Sequence, residues 1–164
     1  GVANVWTERK GLQYFLELSS YLSSDEVIVL VGLTEKQKAT LPSGIIGITR
    51  TDSVTELAEI YTAADVFVNL TLEDNFPTTN LEALACGTPV ITFNTGGSPE
   101  CIDDSTGYLV DKGNVDDVAT KARLIKTTGK TVYSVACIER AKEFYGSEQR
   151  FFEYINMYSS FCNV

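Results

Sequence analysis

The sequence contains no histidine. Without an imidazole the chain cannot assemble a Ser-His-Asp or Cys-His nucleophile system of its own, nor complete a Cys/His zinc site. Its cysteines, Cys86, Cys101, Cys137 and Cys162, are widely spaced and form no C-x-x-C pair. They read as buried thiols in a reducing compartment, and no metal site or cofactor is expected. No apolar run reaches the ~18 residues of a membrane span, and the opening GVANVW lacks the charged and then apolar order of a signal segment. A cytoplasmic protein with no transmembrane segment is expected. Cations are scarce as well: 13 Lys and Arg against 22 Asp and Glu give a formal charge of -9. Nucleic acid and anionic membrane surfaces select for basic patches, so neither is expected as the main partner. Two common nucleotide signatures, G-x-G-x-x-G and G-x-x-x-x-G-K-[ST], are missing too.

What is present is enough for one ordinary core: 164 residues, 44% of them hydrophobic. The chain opens without Met, directly in a strand-like run, and is expected to be a fragment of a longer protein. Short apolar runs at 2–5, 27–31, 45–49, 66–68, 90–93 and 108–110 read as strands. The run Val27-Ile28-Val29-Leu30-Val31 has the continuous β-branched character of a strand buried on both faces. Between the runs lie helical patterns over 12–22, 53–64 and 79–86, with a short helix within 34–44. Ser53-Val54-Thr55-Glu56 has capping-box spacing. Alternating strands and helices imply a Rossmann-like α/β fold, a doubly wound parallel sheet of about six strands with helices on both faces. After residue 114 the strands stop, and helices are expected over 115–128, 131–145 and 147–161. In the last, Phe151, Tyr154, Ile155, Tyr158, Phe161 and Cys162 form a stripe that reads as core first and partner contact second.

Site chemistry concentrates between Glu73 and Glu100. In an open parallel sheet the ligand crevice lies at the carboxyl ends of the strands, and three loops fall there. The loop over 6–11 carries Arg9 and Lys10 just ahead of a helix. They can hold a phosphate or pair with Glu8 or Asp52. The second loop carries Glu73, Asp74, Asn75, Phe76 and Pro77, then Thr78 and Thr79. Thr79-x-x-Glu82 has capping-box spacing, which needs no ligand, while the same helix end offers N–H groups to a phosphate. The third, Asn94 to Glu100, has Gly96 and Gly97, which let the backbone approach a ligand closely and are expected to bind substrate, and Pro99 suited to the first turn of a following helix. By itself it also reads as a tight turn and cap.

Taken together these residues resemble the nucleotide-sugar-binding, C-terminal half of the family 4 retaining glycosyltransferases, two-domain enzymes of the GT-B fold. The resemblance rests on Asp74-x7-Glu82, on Glu82-Ala-Leu-Ala-Cys-Gly-Thr-Pro-Val-Ile91, and on Gly96-Gly-Ser-Pro-Glu100. Tyr61-Thr-Ala-Ala-Asp65, Arg9-Lys10-Gly11 and Thr106-Gly-Tyr-Leu-Val110 match too, so it covers about residues 1 to 125. It departs where the family has Glu and Arg, at Asp74 and Val5. It implies that Lys10 holds the diphosphate of a nucleotide sugar, with Arg9 as a possible second cation. Glu82 would accept from the ribose, Asp74 or the adjacent Glu73 would face the transferred sugar, the backbone around Pro77 to Thr79 would add phosphate contacts, and Gly47-Ile48 would border the base. The nucleoside-diphosphate sugar is then a substrate, and no metal is required. The expected partners are a missing N-terminal domain and, through it, a glycan or lipid-linked acceptor, the full-length enzyme acting in polysaccharide synthesis peripherally at the inner membrane face. Other readings are a noncatalytic nucleotide-binding or assembly module of the same fold and a nucleotide-sugar epimerase fragment, the second disfavoured by the missing histidine.

Overall fold

The computed structural model describes residues 1–162 as an α/β unit followed by helices. Two parallel sheets carry the strands. In one, β1 (Ile28–Val31) pairs with β2 (Ile45–Ile48); in the other, β3 (Phe67–Asn69), β4 (Val90–Phe93) and β5 (Gly107–Val110) lie in sequence order. Parallel pairing requires a crossover between successive strands. α2 (Glu35–Lys38) crosses from β1 to β2, α4 (Thr78–Ala85) from β3 to β4 and the 3₁₀ turn Ser98–Cys101 from β4 to β5, while α3 (Val54–Ala63) leads from the first sheet to the second. The helix α1 (Leu12–Leu18) packs on α5 (Val115–Thr128), while α4 packs against both α3 and α6 (Thr131–Tyr145), so helices cover both faces. The core sits between these layers: all of β4 is buried, and Phe15, Leu30, Leu70, Leu84, Phe93 and Ile125 are at most 2% exposed.

The expected strand at 2–5 contracts to one parallel bridge, Val2 to Val31. The chain turns away after Ala3 so that Trp6 can enter the core, where its indole donates to the Val31 carbonyl (2.9 Å) and stands edge-on to Phe15. Val5 is left 63% exposed. The long first helix stops at Leu18 and tightens into a 3₁₀ turn, Ser19–Tyr21. Ser53 accepts from the Glu56 N–H as its spacing predicts, but the Glu56 carboxylate takes the N–H of Asp52 instead of the cap residue's own. The helix anticipated after Pro99 is only the 3₁₀ turn of four residues.

The core reading of the last helix is overturned. Along α7 (Ser147–Cys162) Phe151, Tyr154, Tyr158 and Phe161 are all at least 60% exposed and Ile155 is 47% exposed. The Cys162 side chain, part of the same expected stripe, lies outside the described residues.

Candidate functional site

Within each sheet the strands are parallel, so their carboxyl ends lie at one edge of that sheet, and the loops that follow β3 and β4 build the site together with the turn over Glu8–Lys10. Residues Glu8–Lys10 form a 3₁₀ turn closed by Gly11 at φ 76. A side chain at Gly11 would put its Cβ 2.0 Å from the Leu70 carbonyl oxygen, so only glycine lets this turn lie against the end of β3. The Leu72 N–H then donates to the Arg9 carbonyl (2.8 Å), which fixes the turn beside the acidic loop.

Lys10 is aimed by that arrangement at a residue far along the chain. Its ammonium lies 2.7 Å from Asp74 Oδ2, with the two side chains 30% and 18% exposed. It pairs with neither Glu8 nor Asp52. Asp74 is held at its other oxygen as well, where Oδ1 accepts from the Phe76 N–H (3.2 Å). Both carboxylate oxygens are thus engaged, whereas neighbouring Glu73 and Asn75 are exposed. Arg9 contributes through its backbone, its side chain being exposed.

Behind this pair is a buried polar scaffold that the sequence reading missed. Thr71, fully buried, places its hydroxyl 3.3 Å from the Arg9 carbonyl and 3.2 Å from the Glu73 carbonyl. Its N–H donates to Asn69 Oδ1, whose amide donates in turn to buried Asn80 (2.8 Å). Thr95 closes the set by donating to the Thr71 carbonyl (2.9 Å). Thr71 and Thr95 each follow an apolar strand by two residues, which is the signal they carried; Asn69, at the end of β3, and Asn80, inside α4, carried none.

The close approach that Gly96-Gly97 allows is made to the acidic loop. A Cβ at Gly96 would fall 2.0 Å from the Asp74 carbonyl oxygen and one at Gly97 2.0 Å from that of Asn75, and the Gly97 N–H donates to Asp74 O (3.1 Å). The glycine turn is therefore a wall that sets the position of Asp74.

The capping box at Thr79 does not form. Helix α4 starts one residue earlier, with buried Pro77 as N-cap, Thr78 exposed and Thr79 half-buried, and no side chain caps it. The first helical bond comes from the Asn80 N–H, so the N–H groups of Thr78 and Thr79 remain available at the positive end of the helix. Glu82 then sits in the second turn, exposed, where its carboxylate accepts from the Tyr61 hydroxyl (2.9 Å). Burial, and next the charge of Glu82, push the Tyr61 phenol far above its ordinary pKa, so it stays a donor. Phe76 leans on the ring of Tyr145 (5.8 Å). Gly47 and Ile48 lie at the end of β2, in the other sheet, and take no part in the hydrogen bonds around Lys10 and Asp74. Among the described residues no group of three or more His, Cys, Asp or Glu stands close enough to hold a metal ion.

The sequence pattern that defines the glycosyl transferases group 1 matches residues 2–126. The chain belongs to that family. Among its group 1 relatives, the alpha-maltose-1-phosphate synthase of Mycobacterium tuberculosis is 34% identical over 118 residues, 71% of this chain and 30% of that protein. Its counterpart in Mycolicibacterium smegmatis is 29% identical over 152 residues, 84% of this chain and 38% of that one. The chain thus spans about a third of the length of these relatives. In fold it is similar to the Anabaena protein Alr3699/HepE, solved in complex with UDP, with a TM-score of 0.83 at 19% identity over 98% of this chain and 48% of that one. It is also similar to the C-terminal domain of a group 1 glycosyl transferase, LpcC, from Francisella tularensis, with a TM-score of 0.73 at 25% identity over 90% of this chain and 85% of that domain. The fold is therefore that of one half of a GT-B glycosyltransferase.

Proposed function

We propose that this chain is the donor-binding half of a retaining glycosyltransferase, and that it holds a nucleoside-diphosphate sugar at the carboxyl edge of its sheets. The observation that carries the reading is the Lys10 and Asp74 pair, fixed by backbone on three sides beside the open N-terminus of α4. The diphosphate sits against Lys10 and the N–H groups of Thr78 and Thr79. The ribose hydroxyls donate to Glu82, which Tyr61 orients from behind. The base lies toward Gly47 and Ile48. Asp74, with Glu73 beside it, faces the sugar.

The chemistry of such a site is leaving-group stabilisation. As the bond from the anomeric carbon to the diphosphate oxygen lengthens, negative charge grows on the diphosphate and positive charge on the sugar ring. A fixed ammonium and a helix N-terminus stabilise the first without needing to reorganise, and a carboxylate stabilises the second. The acceptor is bound by a second domain, and the exposed aromatic face of α7 is the surface that meets it. Relatives named as synthases and transferases of sugars, and a structural neighbour solved with UDP, support this reading.

Calorimetric titration with UDP, GDP, ADP and their sugars tests it. Binding of one series below millimolar concentration is expected, and failure of all three at millimolar overturns the proposal. A sharper expectation concerns Glu82. Glu82→Ala lowers nucleoside diphosphate affinity by about 10-fold or more, as for a lost hydrogen bond to a charged group, and costs at most about 1–3 kcal/mol of stability for the Tyr61 hydroxyl it leaves without its acceptor. A large loss of stability with unchanged affinity assigns Glu82 a packing role only.

A further inference from the structure

Beyond the glycine pair the chain makes the 3₁₀ turn Ser98–Cys101, whose last carbonyls have no partner within so short a turn. Helix α6 supplies the donors. The Arg140 guanidinium donates to the carbonyls of Cys101 (2.8 Å) and Glu100 (3.0 Å) and pairs with Asp103 (2.6 Å), its carbon standing 5.1 Å from the centre of the Phe144 ring. Tyr145, the last residue of α6, donates its hydroxyl to the same Glu100 carbonyl (2.8 Å). A carbonyl oxygen has two lone pairs, so one planar fork and one phenol saturate Glu100.

The ring of Tyr145 meets the other loop. Its centre lies 5.8 Å from that of Phe76 at an interplanar angle of 59°, within the range where aromatic pairs attract. Phe76 is the residue whose N–H donates to Asp74 Oδ1 (3.2 Å), and the next residue, Pro77, starts α4. On the glycine side the Glu100 N–H donates to the Gly97 carbonyl (3.2 Å), and the Gly97 N–H donates to the Asp74 carbonyl (3.1 Å). The contacts therefore close a ring: Tyr145 to Phe76, Phe76 to Asp74, Asp74 to Gly97, Gly97 to Glu100, and Glu100 back to Tyr145. A closed ring of contacts resists displacement of any one member more than an open chain does, because a shift at one point strains every other.

We propose that Tyr145 is a positioning residue of the donor site, a strut between the acidic loop and the glycine turn that sets where Asp74 and the N-terminus of α4 stand. Its importance for binding rests on the donor-binding reading given above. The two parts of the side chain act on different walls. The ring backs Phe76, and through the Phe76 N–H it holds the Asp74 carboxylate and the entry to α4. The hydroxyl backs Glu100, and through it holds the glycine turn against the Asp74 carbonyl. Phenylalanine at this position keeps the first contact and loses the second; leucine keeps neither.

The test compares the parent chain with Tyr145→Leu, Tyr145→Phe and Ile138→Ala, the last thinning the same helix where it packs at Gly87, past the other end of α4. Amide hydrogen exchange, the thermal midpoint, and affinity for whichever of UDP, GDP or ADP the parent binds are measured on each. Tyr145→Leu is expected to speed exchange of the Phe76 and Gly97 amides by about 10-fold or more and to weaken nucleotide binding by about 10-fold. Tyr145→Phe should return the Phe76 amide to the parent rate and leave the Gly97 amide about 3-fold fast. Ile138→Ala lowers the midpoint as a core truncation does, yet leaves both amides and the affinity within about twofold of the parent. The proposal is overturned by Phe76 and Gly97 amides that stay within about twofold of the parent in Tyr145→Leu, or that speed up equally in Ile138→Ala. Unchanged affinity in Tyr145→Leu, for a parent that binds, overturns it as well. A parent that binds none of the three nucleotides removes the donor reading instead, and the exchange rates alone still decide whether Tyr145 holds the two loops together.

Discussion

Replacing Lys10 by alanine is expected to lower the turnover of the full-length enzyme by about 10²- to 10³-fold, the usual cost of removing one preorganised group that stabilises developing charge. On the proposed role of Lys10 at the diphosphate, the fall should lie mainly in kcat, because the leaving group's charge is greatest in the transition state. Stability should hardly change: the pair with Asp74 is partly exposed, and such pairs contribute about 0–1 kcal/mol. The acidic loop keeps its place without Lys10, since the bonds from Gly97 to Asp74 and from Thr95 to Thr71 remain. Lys10→Arg should recover only part of the rate, because a planar fork does not replace a compact ammonium at a fixed distance. Initial rates across donor concentration separate the terms. A kcat within tenfold of the parent removes Lys10 from the chemistry and leaves it a structural ion pair.

Gly97→Ala is expected to damage the site without touching any side chain in it. At φ -87 the backbone of Gly97 suits alanine; the space does not. The new methyl would lie 2.0 Å from the Asn75 carbonyl oxygen, and a backbone atom cannot swing aside as a flexible side chain does. Either the glycine turn or the loop over 73–76 must shift by about 1 Å, which moves Asp74 relative to Lys10. A misplacement of that size costs about 10²-fold in rate, and the overpacking costs about 1–3 kcal/mol, or roughly 2–12 °C in the thermal midpoint. Differential scanning calorimetry together with donor titration checks both parts. Unchanged donor affinity and an unchanged midpoint would show that the two loops are less closely packed than their hydrogen bonds indicate.

Much of this was readable from residues alone, because strong local patterns and the fold agreed. The run at Val90 to Phe93 is a strand as read, the run at Val66 to Val68 is a strand shifted by one residue to Phe67–Asn69, and α5 and α6 begin and end where their periodicity placed them. The misses share a cause, which is that position in space decided between two local options. Thr79-x-x-Glu82 has capping-box spacing, yet Pro77 starts the helix a residue early and frees Glu82 for Tyr61, 21 residues away. Thr34-x-x-Gln37 has the same spacing, passed unnoticed, and is a complete capping box. Lys10 and Asp74 are separated by 64 residues, so their pairing could not be read from spacing; the sequence offered only the nearer Glu8 and Asp52. The glycine pair was read as a place where the backbone nears a ligand; in the structure it packs against the carbonyls of Asp74 and Asn75.

The exposed stripe on α7 bears on how copies of the chain treat one another in solution. Each copy carries a formal charge of -9, so at low ionic strength like charge keeps copies apart. The rings of Phe151, Tyr154, Tyr158 and Phe161 attract over short range, and that attraction does not weaken when ions are added. Salt screens the repulsion within a Debye length of about 10 Å at 0.1 M. The chain is therefore a charged colloid with one sticky rod. Its scattering mass should rise with added sodium chloride, and ending the chain at Gly146 should abolish the rise.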